Sequence, residues 1–307
     1  MHTRRQLLAL AGAAALVPPR LAAQALPDQI VLLGTGGGPT PKALRAAPSM
    51  ALMIGGQLHV VDAGNGVARQ AALAGLPLKA LSHVWITHLH SDHVADAFTL
   101  PWLAWSGALT TPVTVHGPRG MAQMARDWLR FAHVDIETRM ADEGRPDLRK
   151  LIRVAEVQPG AQLDAGGLKV TAVRVEHPPL TDSFAYRFDW AGKSVAWSGD
   201  TRPCQALIDL ARGADVLVQE VLYLPAMERL IASESNAPTL RAHLLASHTP
   251  VEEAGRLAAA AGVKTLVLSH FVPGGDASVT EEDWRAGAAQ HFDGRIVVGR
   301  DLLRIPL

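Results

Sequence analysis

The stretch Thr87-His88-Leu89-His90-Ser91-Asp92-His93 places three imidazoles and one carboxylate within six residues, directly after the run His83-Val84-Trp85-Ile86. Neutral imidazole nitrogens and a carboxylate oxygen are the ligands that suit Zn²⁺ and related first-row cations. A tight turn at the end of a strand would fix the directions of these side chains before a metal binds. Histidines that merely face solvent on a polar loop do not account for this spacing. The stretch therefore predicts a metal site.

Three more candidate ligands stand after apolar runs later in the chain. They are His177, Asp200 and His270. Each run predicts a strand, and the strands of an α/β sheet deliver the residues at their carboxyl ends to a shared edge. Because a centre with two metals needs more ligands than one motif supplies, we expect these three residues to join the histidines at 88–93.

The rest of the chain alternates short β-branched runs with Ala- and Leu-rich helical stretches, without a long linker. This alternation predicts strands from residues 30–33 to residues 295–298, with helices outside them, and therefore a layered α/β body. Two segments lack a clear period, residues 139–164 and residues 222–245. We expect the first to be a lid or surface hairpin and both to be loops that shape the substrate site.

Composition sets few limits on the partner. Lys and Arg total 29 and Asp and Glu total 29, so the overall charge does not recommend nucleic acid or an anionic membrane. Apolar residues make up 48% of the chain, which is enough for a large core. Cys204 is the only cysteine, so no disulfide can form within the chain.

Residues 1–25 have the pattern of an export signal. Thr3-Arg4-Arg5-Gln6-Leu7-Leu8 precedes an Ala-rich apolar run, and Ala23-Gln24-Ala25 provides a cleavage site. The adjacent arginines indicate the twin-arginine route, and so a periplasmic or secreted protein whose mature domain spans residues 26–307. A transmembrane anchor is the alternative, but Pro18 and Pro19 interrupt the apolar run well short of the roughly 20 residues that a bilayer requires.

Several short motifs, taken in their order, resemble the metallo-β-lactamase superfamily and, within it, its ribonuclease Z-like branch, which includes secreted arylsulfatases and phosphodiesterases. Each motif is weak alone, but their order and spacing extend over nearly the whole mature chain. They are Leu33-Gly34-Thr35-Gly36, Val61-Asp62-Ala63-Gly64, His88-Leu89-His90-Ser91-Asp92-His93, Glu176-His177, Ser198-Gly199-Asp200-Thr201, Gln219-Glu220, Ser247-His248-Thr249 and Leu268-Ser269-His270-Phe271.

The resemblance implies a four-layer αβ/βα sandwich with two divalent cations at its edge, commonly zinc, with manganese or iron as alternatives. One cation would be held by His88, His90 and His177. The other would be held by Asp92, His93 and His270, and Asp200 would bridge the two. A hydroxide shared by the cations would attack the substrate, so that no protein nucleophile is needed.

The resemblance also assigns roles beyond the ligands. Asp92 and His248 are the candidate catalytic residues, and His248 would protonate or steady the leaving oxygen. The alternative for His248 is a helix cap or surface histidine. Asp62 is expected to orient a ligand imidazole rather than to bind metal. The remaining histidines are interpreted as structural or surface residues: His116, His133, His243 and His291.

Departures from the ribonuclease Z pattern guide the substrate prediction. The interval from His177 to Asp200 has room only for a strand, a turn and a strand, so the arm with which tRNA-processing members grip tRNA is absent. The basic signature loop reads Pro41-Lys42-Ala43-Leu44-Arg45-Ala46, in an altered order, and Lys42 or Arg45 could contact an anion.

After loss of Arg4, Arg5 and Arg20, the mature chain has 26 basic and 29 acidic residues. This balance, the expected export and the departures above together predict hydrolysis of a small anionic ester, either a phosphodiester or an aryl sulfate. The expected partner is a small-molecule ester, without nucleic acid or a stable membrane anchor. The sequence leaves the oligomeric state open, although homodimers are common in the branch that the chain resembles. A lactonase or β-lactamase is the alternative enzyme. An exported metal-binding protein without turnover is the alternative from another class.

Overall fold

The computed structural model describes residues 26–232 and 234–307 and contains two seven-stranded sheets. The signal peptide expected at residues 1–25 lies outside the described residues and stays a prediction. The first sheet has the order β14-β1-β2-β3-β4-β5-β6, with strands β1 (Gln29–Gly34), β2 (Ser49–Ile54), β3 (Gln57–Val61), β4 (Leu81–Trp85), β5 (Val113–Gly117), β6 (Ile152–Glu156) and β14 (Leu303–Pro306).

The second sheet has the order β13-β12-β11-β10-β9-β8-β7. Its strands are β7 (Gln162–Asp164), β8 (Lys169–Arg174), β9 (Phe184–Trp190), β10 (Lys193–Trp197), β11 (Val216–Leu222), β12 (Thr265–Val272) and β13 (Arg295–Val298). Each sheet mixes antiparallel pairs with a run of parallel pairs: β3 to β6 in the first sheet, and β10 to β13 in the second.

Helices cover the outer faces of both sheets. They are α1 (Val67–Leu73), α2 (Ser91–Val94), α3 (Thr99–Ser106), α4 (Met121–Phe131), α5 (His133–Glu143), α6 (Leu148–Leu151), α7 (Gln205–Ala211), α8 (Leu224–Ala232), α9 (Ala237–Ser247), α10 (Val251–Ala261) and α11 (Glu281–Ala289), with a short 3₁₀ helix at Leu78–Ala80. Within the described residues, no helix is both long enough and apolar enough to cross a bilayer.

Three apolar layers result from this arrangement and confirm the predicted four-layer αβ/βα sandwich. One core lies between the first sheet and helices such as α1 and α3, and another lies between the second sheet and helices α7, α10 and α11. The third fills the space between the two sheets and includes Trp85, Tyr186 and Phe188. Central strands such as β1 and β11 are buried along their whole length because both of their faces are covered, which explains their largely apolar sequences.

Local sequence explains several of the connections. Gly55 and Gly56 both have positive φ, at 56° and 80°, and they join β2 to β3 in the tight hairpin turn that the Gly-Gly pair predicts. Thr280 and Asp283 form a capping box that begins α11, since each side chain accepts from the other residue's backbone N–H.

The two segments without a clear period differ from the prediction. Residues 139–164 are not a lid: they contribute the end of α5, the short α6 and the edge strands β6 and β7, which are short and largely exposed. Residues 222–245 are not irregular, because they form the helical hairpin of α8 and α9. This hairpin has its own small core of Leu222, Met227, Ile231, Leu244 and Val272. Short, half-exposed elements lack the periodicity that sequence analysis requires.

Candidate metal centre

The turn after β4 and the end of β8 bring three imidazoles together. His90 Nδ1 lies 3.1 Å from His88 Nε2 and 3.0 Å from His177 Nε2. His88 and His177 are buried and His90 is half-buried. A contact between two imidazole nitrogens needs exactly one proton between them, so three converging nitrogens cannot satisfy one another by hydrogen bonding. A tetrahedral cation, in contrast, accepts a lone pair from each of the three nitrogens.

A second group lies beside the first. His93 Nε2 lies 3.2 Å from His270 Nε2, and Asp92 Oδ2 lies 3.5 Å from each of these two nitrogens. Asp200 stands between the groups, with Oδ1 at 3.4 Å from His93 Nε2 and Oδ2 at 3.2 Å from His270 Nε2 and 3.9 Å from His88 Nε2. The structure therefore brings all seven predicted ligands into one cluster at the edge of the two sheets.

Strand ends and backbone strain set the directions of these side chains. The register between β11 and β12 shifts after Glu220. Ser269 and Phe271 of β12 pair with consecutive residues of β11, so His270 between them is the extra residue of a bulge. His270 has φ 45° and Asp62 has φ 55°, a left-handed backbone that few residues other than glycine adopt. Strained residues of this kind concentrate at functional sites.

A set of hydrogen bonds orients the imidazoles. Asp62 Oδ2 lies 2.9 Å from His93 Nδ1, and Asp62 Oδ1 accepts from the backbone N–H of Thr87 at 2.9 Å. The hydroxyl of Thr87 lies 3.0 Å from His88 Nδ1, and the carbonyl of Ser247 lies 2.9 Å from His177 Nδ1. The contact of Asp62 with His93 is the one that its expected orienting role requires.

The electrostatics of the cluster match a cation site. Burial alone would lower the pKa of His93, but the carboxylates of Asp200, Asp62 and Asp92 raise it well above its usual value. Burial also lowers the pKa of His88, aided by His93, and so keeps a lone pair available for a metal. Ionised carboxylates are costly in a buried site unless positive charge accompanies them.

The pKa values of the carboxylates indicate that they are ionised. Burial raises the pKa of Asp200, but His270 and His93 lower it by more, to well below its usual range. The pKa of Asp92 is lowered in the same way, because His93 and His270 outweigh burial. The donor set of five imidazoles and two ionised carboxylates thus fits a dinuclear metal site, and zinc is the cation that this mixture of nitrogen and oxygen donors suits best.

His248 lies next to the cluster and forms a pair that sequence analysis missed. Its Nδ1 lies 3.3 Å from Glu220 Oε2, and Glu220 Oε1 accepts from the backbone N–H of Thr249 at 2.8 Å. Burial would lower the pKa of His248, but the carboxylate of Glu220 raises it. Glu220 lies in a quoted motif, Gln219-Glu220, yet only the tertiary structure reveals its partner, 28 residues further along the chain.

A cavity of about 270 Å³ opens onto the cluster. Its lining includes His90, Asp92, His177, Asp200 and His248. His243 also lines it, although the sequence predicted a structural or surface role for this residue. Its ring lies 5.9 Å from that of His177 and 6.0 Å from that of His248, measured between centroids. In the sequence, only the four-residue spacing of His243 and Ser247, which puts both on one face of α9, hints that His243 lies near the site.

The structure separates the two residues proposed as anion contacts. The guanidinium of Arg45 donates to the Thr35 hydroxyl at 2.8 Å and to the Gly299 carbonyl at 3.1 Å, and it stacks 4.0 Å above the Phe271 ring. These contacts give Arg45 a structural role, and its expected contact with an anion stays a prediction. Lys42 remains near the site, with its pKa lowered by burial and partly restored by the charge of Asp92.

Comparisons with known proteins agree with this fold. A family model described as "Beta-lactamase superfamily domain" matches residues 59–271. The chain is 37% identical over 281 residues to a ribonuclease Z of Mycobacterium avium (strain 104), a match that covers 90% of this chain and 97% of the relative.

Solved structures give the same picture of the fold. The short form of human tRNase Z has a TM-score of 0.64 at 19% identity, covering 90% of this chain and 98% of that one. The Zn²⁺-bound PqqB of Methylobacterium extorquens has a TM-score of 0.65 at 17% identity, covering 91% and 100%. The fold and site are those of a metal-dependent hydrolase of the phosphodiesterase type. The chain belongs to the ribonuclease Z family, within the metallo-β-lactamase superfamily.

The expectation that nucleic acid is not a partner is contradicted by these relatives, since they are ribonucleases and one structural neighbour is a tRNase. The prediction relied on the missing arm, the altered basic loop, the expected export and the overall charge balance. The charge balance averages over the entire surface, whereas phosphate is recognised by local positive charge.

Proposed function

We propose that this protein is a two-metal phosphodiesterase that cleaves RNA, with transfer RNA precursors as the first substrate to test. The observation that carries the proposal is the convergence of seven nitrogen and oxygen donors in a chain that is 37% identical to a ribonuclease Z along almost its whole length. This donor set is unusual outside a metal centre, and the family relationship supplies the bond type.

The distances between their donor atoms divide the proposed ligands into two sets. His88, His90 and His177 hold one cation, and Asp92, His93 and His270 hold the other, in agreement with the two sets of close contacts. Asp200 lies between the two sets and is the shared ligand. When bound, a pair of divalent cations activates water near neutral pH and neutralises the charge that develops on the phosphoryl oxygens.

The residues of the chain then carry the remaining steps. Asp92 is ionised and lines the cavity, so its carboxylate can accept a hydrogen bond from the attacking water and orient it. His248 uses Nδ1 for Glu220, which leaves Nε2 to give a proton to the departing oxygen. Such proton transfer matters most when the leaving group is a basic alkoxide, as it is in RNA.

Lys42 supplies the remaining positive charge. Its ammonium donates to the carbonyls of Gly38 and Thr40 at 3.1 and 2.8 Å, which leaves a third donor for a phosphate oxygen. These carbonyls belong to the glycine-rich loop after β1, and Gly38 also lines the cavity at the metal centre. We propose that this loop holds the substrate phosphate beside the cations.

The test is turnover by purified protein loaded with Zn²⁺ or Mn²⁺. Cleavage of a precursor tRNA carrying a 3′ extension is the expected result, with bis-p-nitrophenyl phosphate as a chromogenic phosphodiester, and Asp200→Ala is the matched inactive control. Nitrocefin and a lactone are the substrates of the alternative carbonyl hydrolase. Protein that holds stoichiometric metal yet cleaves no phosphodiester would overturn the proposal and would favour the binding protein without turnover.

A second candidate substrate is a small anionic ester, favoured by one observation. Residues 177–200 contain only a turn, β9 and β10, which are joined by Ala191 and Gly192, so this interval carries no protruding arm. A centre without such an arm is accessible to small phosphodiesters and aryl sulfates through the same cavity. A kcat/KM for bis-p-nitrophenyl phosphate or p-nitrophenyl sulfate far above that for RNA would make the small ester the principal substrate.

A further inference from the structure

A second, larger cavity of about 860 Å³ adjoins the cavity at the metal centre. It lies between the glycine-rich loop after β1, the hairpin of α8 and α9, and the segment that follows β12. The two cavities share five lining residues, which are Gly38, Pro39, Leu240, Leu244 and Val272. The two cavities therefore adjoin, and the larger one extends away from the metal cluster.

The walls of the larger cavity are mainly hydrocarbon. Ala226 of α8, Leu240 and Leu244 of α9, and Val272 and Pro273 after β12 all face it. The wall on the side of the hairpin is held in place by the small core that includes Leu244 and Val272, both of which are 6% exposed. A site of this volume with mainly apolar walls is suited to a ring system rather than to a second charged group.

Charged residues also line the larger cavity, and they are Lys42, Arg229, Glu234 and Asp276. Arg229 donates to Asp276 Oδ2 at 2.7 Å and to the Ser278 hydroxyl at 3.0 Å, so its guanidinium is not set up to receive a second phosphate. Asn236, which also lines the cavity, offers an amide group suited to the heteroatoms of a heterocycle. The phosphate side of the ligand is thus fixed at the metal end, and a neutral group extends into the larger cavity.

We propose that this larger cavity is a ring pocket, which binds an aromatic or nucleobase ring carried by an ester group of the phosphate at the metal centre. The inference rests on the proposed phosphodiesterase function and specifies which part of the substrate the chain recognises. A nucleoside and an aryl alcohol share this chemistry, since both attach a planar ring to the phosphate. Binding of the ring would stabilise the complex through apolar burial and stacking against aliphatic walls.

The experiment compares phosphate esters that carry a ring with one that does not. Calorimetry of the metal-loaded protein with thymidine 5′-monophosphate and with methyl phosphate should give at least about tenfold tighter binding of the thymidine ester, a typical gain for burying one ring. Phenyl phosphate is the aryl arm of the same comparison. Leu240→Glu places a charge on the apolar wall and should abolish the preference, whereas Leu240→Met, which is similar in volume and apolar, should keep it.

A matched control is available on the same helix. Leu245 is 40% exposed and lines neither cavity, so Leu245→Glu should leave both affinities unchanged. Thermal unfolding of each variant checks that the fold is retained. The kcat/KM for bis-p-nitrophenyl phosphate, which carries two rings, should fall by about tenfold or more in Leu240→Glu and remain within about twofold in Leu245→Glu, as the lost apolar burial requires.

The outcomes separate this inference from the proposed function. Equal affinity for the thymidine, phenyl and methyl esters in an active phosphodiesterase would overturn the ring pocket and leave the function intact. A preference for the ring that Leu240→Glu removes, in a protein that cleaves no phosphodiester, would support the pocket and refute the function. Equal effects of Leu240→Glu and Leu245→Glu on binding would also refute the pocket.

Discussion

Asp200 is the residue on which both halves of the candidate centre depend. Its two carboxylate oxygens lie against imidazoles of different groups, and the pKa of the carboxyl is lowered because these imidazoles outweigh its burial. A single side chain in this position can join two cations, which no imidazole can do with one lone pair. The individual residue, and not only the motif at 88–93, therefore determines whether the centre is dinuclear.

We expect Asp200→Ala to remove metal and to lower phosphodiesterase activity by at least about 10²-fold, because the shared ligand and its charge are both lost. Metal content by atomic spectroscopy and kcat/KM for bis-p-nitrophenyl phosphate measure the two effects. His88→Ala should behave similarly. Wild-type activity in a variant that retains no stoichiometric metal would contradict the proposed role of these ligands.

The pair of His248 and Glu220 leads to a prediction that depends on the leaving group. His248→Ala should slow RNA cleavage by about 10²-fold or more but should slow release of p-nitrophenolate much less, because a phenolate departs without a proton. Glu220→Gln should shift the rates in the same direction by a smaller factor. Losses of equal size for both substrates would show that His248 has a structural role only.

At the scale of elements, three neighbouring strands of the first sheet place histidines side by side between the sheets. His59 on β3, His83 on β4 and His116 on β5 stack at centroid distances of 5.1 and 5.2 Å, and His116 also stacks on Trp85 at 3.8 Å. Burial and the neighbouring His83 lower the pKa of both His59 and His116 to about 3. These strands therefore accommodate imidazoles only in their neutral form.

This stack makes stability depend on pH. An unfolded histidine binds a proton near pH 6.5 and folded His59 only near pH 3, so unfolding takes up a proton between these values. The stabilisation is complete above pH 6.5 and is lost as the pH falls. Between pH 7 and pH 4, we expect the free energy of unfolding to fall by about 3 kcal/mol more in the wild type than in His59→Leu.

Urea unfolding at several pH values measures this difference. His133→Leu is the control, since His133 is exposed on α5. Parallel pH profiles for the wild type and His59→Leu would contradict this prediction, because they would mean that folded His59 takes up its proton at the same pH as an unfolded histidine.

The loop after β1 also constrains the site, because it packs closely against the bulge of β12. A Cβ at Gly37 would lie 2.7 Å from His270 Nδ1 and 2.7 Å from Val272 Cγ2, which is too close for either contact. We expect Gly37→Ala to displace His270, to lower metal affinity by about 10- to 100-fold, and to lower activity accordingly. Metal titration followed by activity measures the effect.

Gly107→Ala is the matched control for Gly37→Ala. Gly107 ends α3 with φ −92°, and a Cβ there would lie 3.4 Å from its nearest neighbour, an ordinary contact. The metal affinity of Gly107→Ala should equal that of the wild type. Equal metal affinity in all three proteins would mean that the loop does not constrain His270.

At the scale of the whole molecule, the centre joins the two sheets. The turn after β4 in the first sheet supplies four of the ligands at residues 88–93, and the second sheet supplies His177, Asp200 and His270. Cations bound by both sheets stabilise the folded state, because the unfolded chain does not hold these seven donors together.

Removal of metal should therefore lower the melting temperature. Binding at a hundredfold excess over Kd contributes about 2.7 kcal/mol, which corresponds to roughly 5 °C for a chain of this size. Differential scanning calorimetry with and without a chelator measures this shift, and Asp200→Ala should show a much smaller one. A wild-type melting temperature that does not respond to chelation would contradict the bridging of the two sheets by metal.

Much of the candidate site could be predicted from local sequence. The spacing of His88, His90 and His93 identifies a metal turn, and the apolar runs before His177 and His270 identify strand ends, because ligand type and strand pattern are both local properties. The role of Glu220 and the position of His243 could not be predicted in this way. Each depends on a partner that is far along the chain and reaches it only through the pairing of β11 with β12 and the packing of α9.

The sequence by itself determined the donor types, the turn that presents them and the alternation of strands and helices, since these follow from residue chemistry and from periods of a few residues. The tertiary structure alone decided that seven donors share one edge, that Arg45 contacts Thr35, Gly299 and Phe271, and that α8 and α9 enclose a second cavity. These features are set by the register of the strands in the two sheets and by packing between distant segments, and no local pattern encodes them.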